Sequence, residues 1–340
     1  MSAARHRRTL WAAAAVAAVA LAGCGNRDLP QDALDPQGPV ARQLDRLAAP
    51  VFIIAGAIFV LVEGLVLFVA IRFRRRSEDE APKQVHGDAR LELTWTIIPA
   101  LILTVVGVLT VATLFDLDRH PTGPDVLRVR VTGHQWWWEY EYPGHDVVTA
   151  NEMHIPTGRK VAVDLRAVDV IHSFWVPKLA GKLDAIPGRR NSLVIEADRP
   201  GTYYGQCAEF CGLSHANMRL RVVAHTPASF QRWLDSNARP AAPPDPVRRP
   251  LGTAGAKLFR EKGCASCHTV KGVSAGQLGP DLTHLRQRKT FAGAIFDLNE
   301  VNLRLWLRDP PGQKEGSKMP NLGLSEDEIG QLIAYLNTLK

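Results

Sequence analysis

Little in this sequence repeats, and little in it addresses nucleic acid: the 340 residues hold no internal repeat, no nucleic-acid-binding motif and no lysine tract threaded with aromatics. The formal charge of +7 is therefore assigned to membrane topology and to the steering of partners rather than to a polyanion. Methionine is scarce, with Met1, Met153, Met218 and Met319 the whole supply. Cysteine is as scarce, with Cys24, Cys207, Cys211, Cys264 and Cys267. Each thiol can be traced to one task, and no pair remains for a structural disulfide once the tasks below are filled. The length suffices for two or three domains.

Two cysteines fall in Gly205-Gln-Cys207-Ala-Glu209-Phe-Cys211-Gly-Leu-Ser-His215-Ala-Asn-Met218, with His172 one strand and turn upstream. Thiolate, imidazole and thioether are soft ligands, and together they select copper over magnesium or calcium. A mononuclear blue-copper centre takes two His, one Cys and a weak Met, which His172, Cys211, His215 and Met218 already supply. Cys207 is then a surplus thiolate of the kind a second, bridged copper would require. The alternative is a Cys207–Cys211 disulfide beside a buried His and Met.

Two more lie in Cys264-Ala-Ser-Cys267-His268, the attachment pattern of c-type haem: both sulfurs add to the vinyl groups and the adjacent His takes the iron. A helical stretch, Ala256 to Gly263, precedes it and Gly279-Pro-Asp-Leu follows. Met319 is the expected sixth ligand, since Met/His ligation raises the potential and no other Met falls in this part of the chain. His284 is the competitor. A thioether-linked haem implies assembly on the oxidising side of a membrane.

The fifth cysteine closes a basic, then apolar, then small-residue leader, Arg5 to Cys24, which reads as a secretory signal too short to span a bilayer. Two apolar stretches, 51–71 and 95–115, each have the length of a membrane helix. The connection between them carries Arg72, Arg74, Arg75, Arg76, Lys83 and Arg90, which should hold it in the cytoplasm and place the copper and haem domains outside. Glu63 falls mid-helix, where an ionisable group is costly and faces protein or water; a contact with another subunit is expected of it. From 126 to 224, short alternating runs such as Val-Leu-Arg-Val-Arg-Val and Lys-Val-Ala-Val-Asp-Leu predict an antiparallel sandwich or barrel. A short helix capped by Thr226, a Pro-rich extended linker over 239–250 and a capping box at Ser325–Glu328 complete the pattern.

Hairpin, cysteine loop and haem motif together resemble the cytochrome c oxidase subunit II family carrying a fused class I cytochrome c. The resemblance covers almost the whole chain. It implies a multidomain protein: a signal peptide over 1–23 with a lipobox ending at a lipidated Cys24, a two-helix transmembrane hairpin over 24–120, an all-β cupredoxin-like domain over 121–238, the linker, and an all-α cytochrome c domain over 251–340. It further implies a dinuclear copper A centre bridged by Cys207 and Cys211, capped by His172 and His215, and completed by Met218 and the backbone carbonyl of Glu209. The Glu209 carboxylate would reach a magnesium shared with subunit I, and Asp184 would join the same contact. Glu92 would stand at the mouth of a proton path. Trp136 would be the exposed tryptophan that receives electrons, here from the tethered haem, and Asp169 would orient backbone or solvent near His172. For Trp137, Tyr140 and Tyr142 the plainer reading is a sheet face built of large β-formers.

On this resemblance the task is electron relay from haem c to copper A to subunit I, which reduces oxygen to water and pumps protons in a bacterial inner membrane. Subunits I and III would be partners, and a bc1-type complex or a soluble cytochrome c the donor. The same modules also fit a copper-A-containing nitric oxide reductase or a non-catalytic copper and haem carrier. A degenerate quinol-oxidase subunit would lack the full ligand set. Nitrous oxide reductase is set aside because its propeller has no room here.

Overall fold

The computed structural model describes residues 11, 29–74, 84, 87–118, 121 and 123–340. Cys24 and all of the leader except Trp11 lie outside them, as do Arg75, Arg76 and Lys83 of the basic connection. Helix α1, Pro39–Arg72, opens on a proline, whose fixed φ and missing N–H suit a first turn. Helix α2, Ala89–Leu117, is capped by Asp88, which accepts from the Arg90 amide at 2.9 Å. Both are long and apolar enough to cross a membrane, with mean hydropathy 2.7 and 2.5 over their most apolar windows. Helix α1 starts well before its apolar run because its first turns belong to the next domain. Ala41 is buried, Val40 packs on the β-domain core, and Arg42 pairs with Asp198.

Ten strands follow: β1 (Leu127–His134), β2 (Trp137–Tyr142), β3 (Val147–Ala150), β4 (Glu152–Pro156), β5 (Val161–Ala167), β6 (His172–Trp175), β7 (Leu183–Ala185), β8 (Asn191–Ile195), β9 (Gly201–Cys207) and β10 (Arg219–His225). They form two five-stranded sheets, ordered β3-β2-β1-β5-β8 and β4-β10-β9-β6-β7. The antiparallel expectation holds for most pairs and fails for two: β1 runs parallel to β5 from Leu127↔Val161, and β10 parallel to β4. Alternation reports which face is buried, not the direction of the neighbour, so it could not reveal this. Between the sheets lie Val129, Val131, Val163, Leu165, Trp138, Phe174 and Leu220, all buried.

Helix α3, Pro227–Asn237, is capped by Thr226 as the sequence predicts. It lays Trp233 on His154, with ring centroids 4.1 Å apart, and His154 Nδ1 lies 2.8 Å from His225 Nε2. Burial, then the neighbouring His225, pushes His154 well below the usual imidazole range, and burial alone lowers His225. Both rings therefore stay neutral in the fold under conditions where the unfolded chain binds protons. Their contribution is complete above the unfolded pKa of about 6.5 and is lost as the pH falls below it. Thermal unfolding of this domain is expected to shift to lower temperature between about pH 7 and pH 5, and His154→Phe/His225→Phe to reduce that slope. An identical slope in the double variant would reject the assignment.

The last domain is helical: α4 (Pro250–Glu261), α5 (Cys264–Cys267), α6 (Glu300–Arg308), α7 (Pro310–Gln313) and α8 (Glu326–Leu336), with two short hairpins between. Helices α4 and α8 cross closely because Gly255 has no side chain; a Cβ there would lie 2.0 Å from the Gln331 carbonyl oxygen. The Ser325–Glu328 capping box opens α8 as read from the sequence. The Pro-rich linker has no regular structure but does not hang free: Ala241 is buried in the helical core, and the Arg239 carbonyl accepts from His284 Nε2 at 2.8 Å.

Candidate copper and haem sites

Strand β6 starts at His172, β9 ends at Cys207, and the loop between β9 and β10 carries the remaining sulfur and imidazole groups. The loop is pinned at both ends, with Cys207 N–H donating to the Met218 carbonyl and Ala208 N–H to Ser173, each at 2.9 Å. Gly212 supplies the left-handed turn, φ +111°. His172 is fully buried and is admitted by Gly133 on β1, where a Cβ would meet the imidazole at 2.7 Å. Asp169 Oδ1 takes His172 Nε2 at 2.9 Å, which aims Nδ1 at Cys207 Sγ, 3.9 Å away.

Around the two sulfurs the other donors converge. Cys211 Sγ lies 3.6 Å from His215 Nδ1 and 3.8 Å from Met218 Sδ, and Cys207 Sγ lies 3.3 Å from the Glu209 carbonyl. The sulfurs themselves are 3.8 Å apart and both cysteines are free. A disulfide would need about 2.04 Å. At 3.8 Å both thiolates can stand at a bond length of about 2.3 Å from one shared ion. The close contact between the two sulfurs is the first cause that lowers the Cys207 thiol, and the same contact, with burial, raises Cys211. The pair thus keeps one proton, which a metal would displace. Among the described residues His172, Cys207 and Cys211 are gathered tightly enough to hold a metal, and the soft set fits copper.

Helix α5 presents the half-buried Cys264 and Cys267, and His268 follows directly. His268 Nδ1 donates to the Pro280 carbonyl at 2.8 Å, which leaves Nε2 for iron. Burial lowers the His268 pKa, so the ring is kept neutral as a ligand must be. Gly279 lies flat against this imidazole; a Cβ there would be 2.6 Å from Cε1. Met319 packs on the same apolar cluster as Cys264, and its Sδ accepts from Trp306 Nε1 at 3.2 Å. His284 has its Nε2 committed to the linker carbonyl. Cys264, Cys267 and His268 fit the attachment of a haem, with Met319 on the same apolar cluster as Cys264.

Comparison with known proteins places both parts of the chain in known domain families. Residues 31–112 and 145–225 match the transmembrane and periplasmic domain families of cytochrome c oxidase subunit II, and 252–340 match the cytochrome c family. The chain is 38% identical over 328 residues to cytochrome c oxidase subunit 2 of Alkalihalophilus pseudofirmus, covering 94% of each chain. It is 35% identical over 345 residues to the same subunit of Bacillus subtilis, again covering 94% of each. The chain belongs to the cytochrome c oxidase subunit II family. By structure it is similar, over 34% of its length and 95% of the other chain, to the periplasmic domain of subunit II of the Bradyrhizobium japonicum oxidase (TM-score 0.33, 32% identity). The family carries copper and this member a cytochrome c domain as well, and its two apolar helices make it a membrane protein.

For a subunit II, the placement of Trp136 departs from expectation. The resemblance implied an exposed ring, yet Trp136 is 8% exposed. Its Nε1 donates to the Cys211 carbonyl at 3.0 Å, and its far edge is covered by the cytochrome domain, where a Cβ on Gly316 would lie 2.7 Å from Cη2. The two domains meet with complementary charge. Lys271 pairs with Asp146 at 2.7 Å and Lys318 with Asp169 at 3.3 Å. Glu152, 1% exposed, accepts from the Lys289 amide at 3.0 Å, from the Thr290 amide at 2.7 Å and from the Thr290 hydroxyl at 2.5 Å. Asp169 therefore does more than orient backbone: it holds the His172 imidazole and pairs with Lys318, the residue beside Met319. Sequence reasoning missed Glu152, and no local signal marks it, because its partners lie more than 130 residues away. Trp137 stacks on His134 at 4.1 Å, and Tyr140 and Tyr142 are buried, as a sheet face predicts. Glu92 sits in the first turn of α2, Glu63 on the apolar surface of α1 and Asp184 half-buried in β7, none of them among the groups gathered at the sulfur loop.

Proposed function

We propose that this chain is the electron-accepting subunit of a respiratory oxidase. In this reading it relays electrons from its own haem c to a dinuclear copper A centre, and from there to subunit I, where oxygen is reduced to water and protons are pumped. His172, Cys207, Cys211, His215, Met218 and the Glu209 carbonyl would hold the copper pair, and Cys264, Cys267, His268 and Met319 the haem. Bound there, the two groups supply one-electron chemistry, and the protein supplies position and electrostatics.

The observation that carries the reading is the place of Trp136 between the sulfur loop and the cytochrome domain, bonded to Cys211 on one side and covered by Gly316 on the other. The buried indole fills the gap across which an electron would pass. Asp169 fixes His172 from behind, and Gln135 Nε2 holds the Cys211 carbonyl at 2.8 Å, so the loop is preorganised. Tethering replaces a bimolecular encounter with a donor held at high effective concentration. The soluble cytochrome c or bc1-type complex upstream would then serve the haem.

The remaining roles follow from the family. Glu209 would offer its carboxylate to a magnesium at the contact with subunit I, near the exposed Phe210 and Leu213. Asp184 would join that contact, Glu92 would border a proton path, and subunit III would complete the assembly. Lipidation at Cys24 would add a second hold on a bacterial inner membrane, with both redox domains on its outer side.

In the assembled oxidase, Trp136→Phe is expected to slow haem-to-copper transfer by roughly an order of magnitude. The copper resonance signal should be unchanged. Photoinjection of an electron into the haem, followed by optical detection at copper, measures this. Equal rates in the two proteins would remove the role.

A further inference from the structure

The cytochrome domain grips Trp136 with two separate segments. One is a hairpin tip at Ala292-Gly293-Ala294, all three residues at positive φ, whose Gly293 carbonyl accepts from the Arg219 amide at 2.9 Å just past Met218. The tip is wedged so closely that a Cβ on Gly293 would meet the Asn217 carbonyl oxygen at 2.6 Å. The other is Lys314 to Gly316, where Ser214 Oγ donates to the Glu315 carbonyl at 2.5 Å and Gly316 lies on the indole.

Lys314 joins these parts. It is 4% exposed, and its ammonium donates to the Trp136 carbonyl at 2.6 Å and to the Ala292 carbonyl at 2.9 Å. One acceptor belongs to each domain. Both of these acceptors are peptide oxygens, and burial lowers the ammonium pKa to about 7. A lysine merely decorating an interface would keep its charged end in water. This one is drawn inside, where charge-assisted hydrogen bonds are stronger and loss of the donor leaves two carbonyls without it.

We infer that Lys314 is a positioning residue that locks the cytochrome domain onto Trp136, so that transfer to the copper site runs within a pre-docked pair rather than through repeated encounters of a tethered domain. This rests on the role proposed for Trp136. Two consequences distinguish it from a general stabilising contact. Transfer in the unaltered protein is independent of solvent viscosity, because no domain motion precedes it. Removal of the ammonium releases the interface without touching either set of metal ligands.

The test is Lys314→Met in the full chain within the oxidase. Transfer is expected to slow by at least about tenfold, the scale of a lost charge-assisted hydrogen bond across the interface, and to become dependent on viscosity. Hydrogen exchange of the Arg219 amide should speed up, which reports undocking without any electron transfer. The copper resonance and haem absorption should be those of the unaltered protein. Wild-type protection, rate and viscosity independence in Lys314→Met would overturn the inference. If that variant fails to load copper or haem, the shorter apolar Lys314→Leu carries the same measurements with the same two outcomes. The Trp136 reading fails separately: Trp136→Phe would then leave transfer unchanged while Lys314→Met still accelerates exchange at Arg219.

Discussion

With Cys207→Ser, the full chain is expected to bind no more than one copper per haem and to lose the resonance signature of an electron shared between two ions. Cys207 Sγ lies 3.8 Å from Cys211 Sγ, 3.9 Å from His172 Nδ1 and 3.3 Å from the Glu209 carbonyl, so it is the atom on which half of the donor set converges. Serine keeps the shape but offers a hard, protonated oxygen in place of a soft thiolate. Copper affinity should fall on the order of 100-fold or more, at least the cost attached to a group that merely supports a ligand. Oxidation of a cytochrome donor should fall to background. Metal analysis with electron paramagnetic resonance decides the matter. A Cys207→Ser protein that keeps two coppers and the shared-electron signal would demote Cys207 to a neighbour.

Met319→Ala is expected to leave the haem attached while changing its electronic character. The attachment proposed at Cys264 and Cys267 and the proposed ligand His268, held by the Pro280 carbonyl, would be untouched. The sulfur-to-iron absorption band at the red end of the oxidised spectrum should disappear. The reduction potential should fall by more than about 0.1 V, a modest part of the roughly 0.8 V that axial ligands span. Trp306→Phe is a milder version, because it removes only the Nε1 donor 3.2 Å from the Met319 sulfur. An intact band in Met319→Ala would mean that Met319 is not the sulfur on the iron. Loss of the band alone does not involve His284, whose Nε2 is bonded to the Arg239 carbonyl.

Trp136 and Lys314 show what could not be read in advance. An aromatic run in a strand marks a sheet face, and nothing in Gly-His-Gln-Trp says that one ring will be covered by residues 180 positions later. The covering follows from where the hairpin tip at Gly293 and the segment at Gly316 come to rest. Glu152 is a similar case: as an acid at the start of β4 it looks like an exposed edge charge, yet three donors from the cytochrome domain enclose it. Parallel pairing of β1 with β5 is also absent from the pattern, since alternating burial is the same for either direction of a neighbouring strand.

The haem motif, by contrast, is local. Cys264, Cys267 and His268 share one turn of chain, so their chemistry is set by spacing alone. The same holds for the Ser325–Glu328 box and the Thr226 cap, where donor and acceptor are three residues apart. The apolar runs that form α1 and α2 are likewise determined by composition and length, because a membrane helix satisfies its own backbone and needs no distant partner. What the sequence by itself determined is therefore the list of modules and the ligand types. Only the tertiary structure decided that His172 meets the sulfur loop through the gap left by Gly133, that Asp169 turns its ring, and that Trp136 is enclosed between two domains rather than presented to solvent. The physical reason is range: capping, haem attachment and hydropathy act over a few residues, whereas buried charge and close packing depend on groups that meet only after the chain has folded.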